Sequence, residues 1–429
     1  MKQKIKETFD KLKAGVLRTL SANIINKAVS MISSMAITRL LSTTDYGIWS
    51  YVLNLYSYFS LVSGLGLISG ALQFGAENNG NEKSYSFFKY CSRTGIFIDL
   101  GLVVVFGTII AFIQLPIAGV KPYFLVTLPI LLGEYINAIG QSVLRAQNRI
   151  KEYANLLNVN TILVAAGTCG GAIAGLWGVV IGRYIAYSLS IVYLIWLLRQ
   201  DISKIHKANK LTAIAKKNLW HYSLFIGATS AMNLVVYYID ITLIASLIHN
   251  ANDVAIYKVG TLIPNALQFI PTSVVVAVVS NIIYNRNDII WIRKNVKKTY
   301  IGLLLLNAVI VGILMLGGPL IIRIISGEKY LASVPVLRVL AFGYFFSGTF
   351  RNLSANILAA FRRVHFGLFV AALTCVLDVG LNILLITRYG MIGAAYATFI
   401  VDVFTAALSF GYVVLLLRRG TINAINKDY

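Results

Sequence analysis

Twelve long apolar stretches follow one another with few polar residues between them, and no other feature limits the fold of this chain so strongly. A hydrocarbon layer roughly 30 Å thick takes about 20 mostly apolar residues per helical crossing. The stretches run near 16–41, 46–74, 92–114, 122–143, 153–172 and 175–198, then near 221–248, 254–283, 299–322, 332–360, 364–387 and 391–417. With 58% hydrophobic and 13% charged residues and a mean hydropathy of +0.75, the chain is more apolar than a soluble protein of 429 residues tolerates. Little length remains for a soluble domain.

A net charge of +22 raises the question of nucleic acid, and the placement of the 38 Lys and Arg residues answers it. With the N-terminus inside, 28 of them fall on inner segments, seven sit at outer ends, and Lys27, Arg183 and Arg351 lie within spans. That bias predicts cytoplasmic N- and C-termini by the positive-inside rule. The first residues are basic, and Ile5, Phe9, Leu12 and Val16 recur at helical spacing, which suits either a helix lying on the anionic inner leaflet or a solvated tail. The apolar segment behind them carries Asn23, Asn26 and Lys27 and no small-residue cleavage site, so it reads as retained. Cys91, Cys169 and Cys375 lack the paired spacing of a metal or redox site and read as packing residues.

The chain repeats itself. Leu144 to Arg149 (LRAQNR) has a counterpart in Leu358 to Arg363 (LAAFRR), Gly175 and Gly178 in Gly390 and Gly393, and Asp45 to Trp49 in Asp253 to Tyr257. All three matches come in the same order at nearly one offset, as in a six-helix repeat. Six being even, the copies enter the membrane in the same direction, related by a pseudo-twofold axis along the membrane normal. The expected architecture is therefore an all-α integral membrane protein of about twelve transmembrane helices in two six-helix lobes. It divides into a basic segment 1–15, a first lobe 16–200, a cytoplasmic linker 201–220, a second lobe 221–418 and a tail 419–429.

Polar stripes at helical spacing mark the helices that line water, and the first two helices of each repeat carry them. The stripes include Asn23, Lys27, Ser30 and Ser34; Ser50, Asn54 and Ser57 with Tyr58 close by; Ser230, Asn233 and Asp240; and Lys258, Asn265, Gln268 and Thr272. Small polar residues that cement helix contacts would read the same way. Lys27 lies roughly 13 Å deep, where a charge costs at least about 2.5 kcal/mol. It either attracts an anionic substrate together with Arg39 and Lys258 or pairs with a carboxylate. Arg183 and Arg351 accompany the buried acids Asp99 and Glu134 in one half and Asp240, Asp378 and Asp402 in the other. These form ion pairs within a half, or one or more acids bind the proton or sodium ion that drives a transport cycle. Pro264 and Pro271 should bend the eighth span.

Thr38-Arg39-Leu40-Leu41, the following Asp45-Tyr46-Gly47, the glycines Gly64 and Gly66 closing the second span, and the duplicated plan resemble the polysaccharide flippase branch of the multidrug, oligosaccharidyl-lipid and polysaccharide exporter (MOP) superfamily, the Wzx-type O-antigen and capsule flippases. The resemblance covers nearly the whole chain and implies a V-shaped pair of lobes around a cationic cavity in the bacterial inner membrane. That cavity accepts the sugar and diphosphate of an undecaprenyl-diphosphate-linked repeat unit while the lipid tail stays in the bilayer. Lys27, Arg39, Asn54, Tyr58, Asn233, Lys258, Asn265 and Gln268 are then the substrate-binding candidates. The resemblance further implies a monomer working with a polysaccharide polymerase and assembly proteins, with no cofactor beyond coupling H+ or Na+. Moving two negative charges outward releases roughly 4.6 kcal/mol per 100 mV of inside-negative potential.

Two relatives of the same superfamily are alternatives. A multidrug or cation antiporter favours acids over lysine in its cavity, and the peptidoglycan lipid-precursor flippases have a longer plan with two extra helices. An enzyme needs a catalytic loop with convergent acids or histidines. Every outer connection is roughly a dozen residues or fewer, and the longest inner loop offers no paired carboxylates and no glycine-rich phosphate loop. The chain therefore reads as a non-enzyme, with a scaffold lacking transport as the remaining alternative.

Overall fold

In a hydrocarbon solvent every backbone N–H and C=O must be satisfied within the chain, and helices do this segment by segment. The computed structural model describes residues 2–284, 288–361 and 363–419, and these residues form helices and turns without a strand. In the first half, α1 (Lys2–Leu40) is followed by α2 (Thr43–Leu61) and α3 (Leu67–Glu77), which share the second expected span, and by α4 (Glu82–Phe112). The fourth span is divided between α5 (Val120–Thr127) and α6 (Ile130–Ala146), and α7 (Ile150–Ala172), α8 (Gly175–Leu197) and the short α9 (Arg199–Lys207) follow. The second half begins with α10 (Ala213–Ile248), then α11 (Ala251–Leu267) with α12 (Phe269–Tyr284), and α13 (Ile289–Ile325). It ends with α14 (Val334–Phe346) and α15 (Asn352–Ala360), which share the tenth span, α16 (Val364–Tyr389) and α17 (Met391–Arg419). Each expected span thus coincides with one helix or with two helices joined by a break. Eight of the described helices or helix pairs are long and apolar enough to cross a membrane. Phe112, Ile173 and Leu316 are among the large apolar side chains left almost fully exposed, an arrangement suited to lipid and costly in water.

The packing divides into two units between Tyr238 and Ile239, inside α10. In the first unit, Leu67, Phe87, Phe88, Tyr135, Leu144 and Leu219 form a buried core. The linker is no open loop there. Partly buried Ile205 of α9 packs against that core, and Lys89 Nζ donates to the carbonyls of His206 (2.7 Å) and Ala208 (2.9 Å). In the second unit, Ile292, Tyr300, Leu353, Ile357 and Val413 form another core. The sequence repeat recurs as backbone geometry: the Arg149 N–H donates to the Leu144 carbonyl at 2.8 Å, and the Arg363 N–H to the Leu358 carbonyl at 2.9 Å. Both arginines cap the next helix with nearly the same angles, φ −85°, ψ 58° and φ −84°, ψ 49°.

Helix association in lipid depends on close contact and not on the hydrophobic effect. α7 and α8 meet through Gly167, Gly171, Gly178 and Gly182, where each backbone fills the place a neighbouring Cβ would need.

Candidate functional site

Gly64 and Gly66 do not close the second span; they break it internally, and α3 continues to Glu77. Gly64 (φ 56°), Leu65 (φ 47°) and Gly66 (φ 81°) are left-handed, a conformation that glycine adopts freely and leucine only at a cost of about 1–2 kcal/mol. A Cβ at Gly66 would lie 2.0 Å from the Ser223 carbonyl oxygen, so α10 closes on this break. Asp99 of α4 holds the freed groups: Gly64 N–H and Ser63 Oγ each donate to its carboxylate at 2.7 Å. Asp99 is fully buried and pairs with no cation among the described residues, so the donors of the break take the place of an ion-pair partner.

The two intramembrane arginines do find acids. Arg183 lies 3.4 Å from Glu134, which also accepts from the Tyr187 hydroxyl at 2.5 Å, and the guanidinium stands over the rings of Trp49 and Tyr187. Arg351 donates to Asp402 at 2.8 Å in the second unit.

Asp240 and Asp378 form a different arrangement. The Asn382 amide nitrogen donates to Asp240 Oδ1 at 3.0 Å and to Asp378 Oδ1 at 3.1 Å, joining two carboxylates through one NH2 group. Tyr257 (2.5 Å) and Thr398 (3.0 Å) donate to Asp240 Oδ2. Asn382 Oδ1 is buried without a hydrogen-bond partner, and Asp378 is 4% exposed. Two carboxylates this close in a low dielectric call for a compensating positive charge. The oxygen donors at hand, with one orphaned acceptor among them, fit a hard cation or a proton. Hydropathy alone does not single out Asn382, Thr398 or Tyr257. The Asp378-x-x-x-Asn382 spacing, which puts both side chains on one helix face, is the signal that finds the first of them.

The substrate-binding candidates fall on both units. In the first, Lys27 is exposed on α1 without an ion-pair partner among the described residues, and Arg39 is exposed at the end of α1. Asn54 is buried in α2, and the half-buried Tyr58 ring meets Tyr238 edge-on at 5.9 Å. In the second, Lys258 is half-buried on α11, also without an ion pair among the described residues, and Asn265 is exposed. Gln268 is occupied within its own unit, donating to Ser347 Oγ and accepting from Asn352 Nδ2, each at 3.1 Å. It stands at the α11–α12 break between Pro264 and Pro271, opposite a π-helical turn at Ser347–Arg351. The side chain of Asn233 lies outside the described residues, as do those of the basic segment 1–15, Arg362 and nearly all of the tail.

Several solved structures share this fold. Lipid II flippase MurJ in an inward closed conformation superposes with a TM-score of 0.73 at 16% identity over 96% of this chain and 93% of its own. An inward-facing multidrug resistance MATE family transporter of the MOP superfamily gives 0.67 at 15% identity, covering 96% and 99%. A MOP superfamily transporter from Pyrococcus furiosus, described as having reverse polarity of its binding pocket, gives 0.61 at 13% identity, covering 96% of each chain. An uncharacterized membrane protein of Methanocaldococcus jannaschii is 26% identical over 185 residues, 42% of this chain. The match spans about a third of that relative's length, 36%. The fold is therefore the multi-span helical fold of the MOP-superfamily transporters and flippases. Within it, the chain belongs to the polysaccharide biosynthesis protein family, whose profile matches residues 12–282.

Proposed function

We propose that this protein is a flippase that moves an undecaprenyl-diphosphate-linked oligosaccharide from the cytoplasmic to the outer leaflet by alternating access, supplying surface polysaccharide synthesis. The observation that carries this reading is that Lys27 and Lys258 have no ion pair among the described residues, whereas Arg183 and Arg351 do. An ammonium group inside a membrane span, as at Lys27, or near its outer end, as at Lys258, is stabilised by a counter-charge. A diphosphate headgroup supplies one, with Arg39, Asn54, Tyr58, Asn233 and Asn265 as further contacts to phosphate and sugar. On this reading the protein sits in a bacterial inner membrane with both termini cytoplasmic, catalyses no covalent step, acts as a monomer and receives its cargo beside a polymerase and assembly proteins.

Asp240, Asp378, Asn382 and Thr398 would hold the coupling proton or sodium ion, which supplies the positive charge that the two carboxylates require. The α11–α12 break lies nearby in sequence, so a change at Asp240 is relayed through its Tyr257 hydrogen bond into α11. A multidrug exporter would need carboxylates facing its cationic substrate. Asp99, Glu134, Asp240 and Asp402 are instead each engaged by donors of their own unit.

The test is surface-polysaccharide export in cells lacking the wild-type gene, with Lys27→Ala and Lys258→Ala compared with Lys→Arg at the same positions. Each alanine variant should lower export at least tenfold while still inserting, and arginine should preserve it. Full export by both alanine variants overturns the cationic mechanism, and a competing peptidoglycan precursor that blocks export would select the peptidoglycan-precursor alternative.

A further inference from the structure

We propose that the first unit carries a second binding site, a pocket for the phosphate headgroup of an anionic phospholipid, separate from every residue assigned above to transport. A cavity of about 1270 Å³ opens where the α3–α4 turn, the start of α7, the end of α8 and α9 converge. Its lining contains five cations, Arg149, Lys151, Arg199, Lys204 and Lys207, against three carboxylates, Glu82, Glu152 and Asp201.

The charges divide into a fixed floor and a free rim. Asp201 is buried and accepts from Arg149 Nη1 (2.6 Å), Gln147 Nε2 (3.1 Å) and the Tyr85 hydroxyl (3.4 Å). Arg149 also pairs with Glu152 and donates to the Leu197 carbonyl at 3.2 Å, so its donors are committed. Burial opposes its charge, but the two carboxylates outweigh burial and raise its pKa above the ordinary value. The other four cations are exposed, and none forms an ion pair among the described residues. Two of them are positioned without being neutralised: Lys204 Nζ stands 5.7 Å from the Tyr85 ring centroid, and the Arg199 guanidinium 6.0 Å from that of Trp196. Glu82, exposed at the start of α4 and in no ion pair among the described residues, offsets one of the four, and the rim that remains is net positive, as a phosphate site requires.

The lipid source follows from the remaining wall. Tyr193, Trp196 and Leu197 line the same cavity, and α8 next to them exposes Val192 (63%), Ile195 (51%) and Trp196 (59%). Tyr and Trp beside an exposed aliphatic face mark the level where headgroups meet acyl chains. A soluble phosphate ester would use the rim alone; a phospholipid uses the rim and the apolar face together.

The experiment incubates the full chain, purified in detergent, with phosphatidylglycerol or phosphatidylcholine and counts retained lipid by native mass spectrometry, a readout independent of transport. Phosphatidylglycerol should be retained and phosphatidylcholine not. Lys151→Gln, Lys204→Gln and Lys207→Gln together should weaken retention on the order of a hundredfold. The corresponding Lys→Arg triple variant should keep it, as should Lys294→Gln, Lys297→Gln and Lys298→Gln on α13. Equal retention of the two lipids, equal loss in the α13 control, or displacement by glycerol 3-phosphate at matched concentration overturns the proposal, the last by assigning the rim to soluble phosphate esters.

Discussion

Gly170 and Gly171 are neighbours on α7, yet adding one methyl group to each should have opposite effects. A Cβ at Gly171 would lie 2.0 Å from the Gly178 carbonyl oxygen of α8, whereas a Cβ at Gly170 meets nothing within 4 Å. A carbon approaches a carbonyl oxygen to about 3.3 Å at closest, so Gly171→Ala obliges the two backbones to part by more than about 1 Å. The strain cannot be relieved at the adjoining contacts, because Cβ positions at Gly167 and Gly182 fall 2.3 and 1.9 Å from each other's carbonyl oxygens. Overpacking of this kind costs about 1–3 kcal/mol, offset by up to about 1 kcal/mol from the better helix propensity of alanine. Gly170→Ala keeps the propensity gain and incurs no clash. The assay is thermal unfolding of the purified protein in detergent, followed by loss of the monodisperse chromatographic peak. Gly171→Ala should melt several degrees below wild type and Gly170→Ala at or above it. Indistinguishable melting of the two variants would refute the close-contact argument.

Three further outcomes are expected. Asp99→Ala strands the Gly64 N–H and the Ser63 hydroxyl and should cost about 2–4 kcal/mol, seen as lower thermal stability, while Asp99→Asn, which still accepts at one oxygen, should lose less than half as much. Arg351→Ala leaves the Asp402 carboxylate uncompensated and should destabilise by about 1–3 kcal/mol, below the fully buried figure because the arginine side chain is 43% exposed; adding Asp402→Asn should restore most of that stability, and an additive double variant would contradict the pairing. Asp378→Asn should abolish the dependence of flipping on an imposed sodium or proton gradient without lowering thermal stability, measured in proteoliposomes, and a retained gradient response would remove Asp378 from coupling.

Lipid as solvent imposes span length and backbone satisfaction on every crossing, so the twelve spans and the recurring turn at Arg149 and Arg363 could be read from one dimension. Pro264 and Pro271 likewise announced the α11–α12 break, because a missing N–H is a local property. The contact face of Gly167 and Gly171 was not read from the sequence, and only the structure shows that it meets Gly178 and Gly182. Partner identity was not legible. The sequence marks Asp99, Asp240 and Asp402 as acids inside spans, and nothing local distinguishes them. Tertiary packing gave one to a broken helix 35 residues upstream, one to an asparagine 142 residues downstream and one to an arginine 51 residues away. Hydropathy and periodicity are sums over a single helix, whereas a buried carboxylate takes its role from whichever donor another helix brings within about 3 Å.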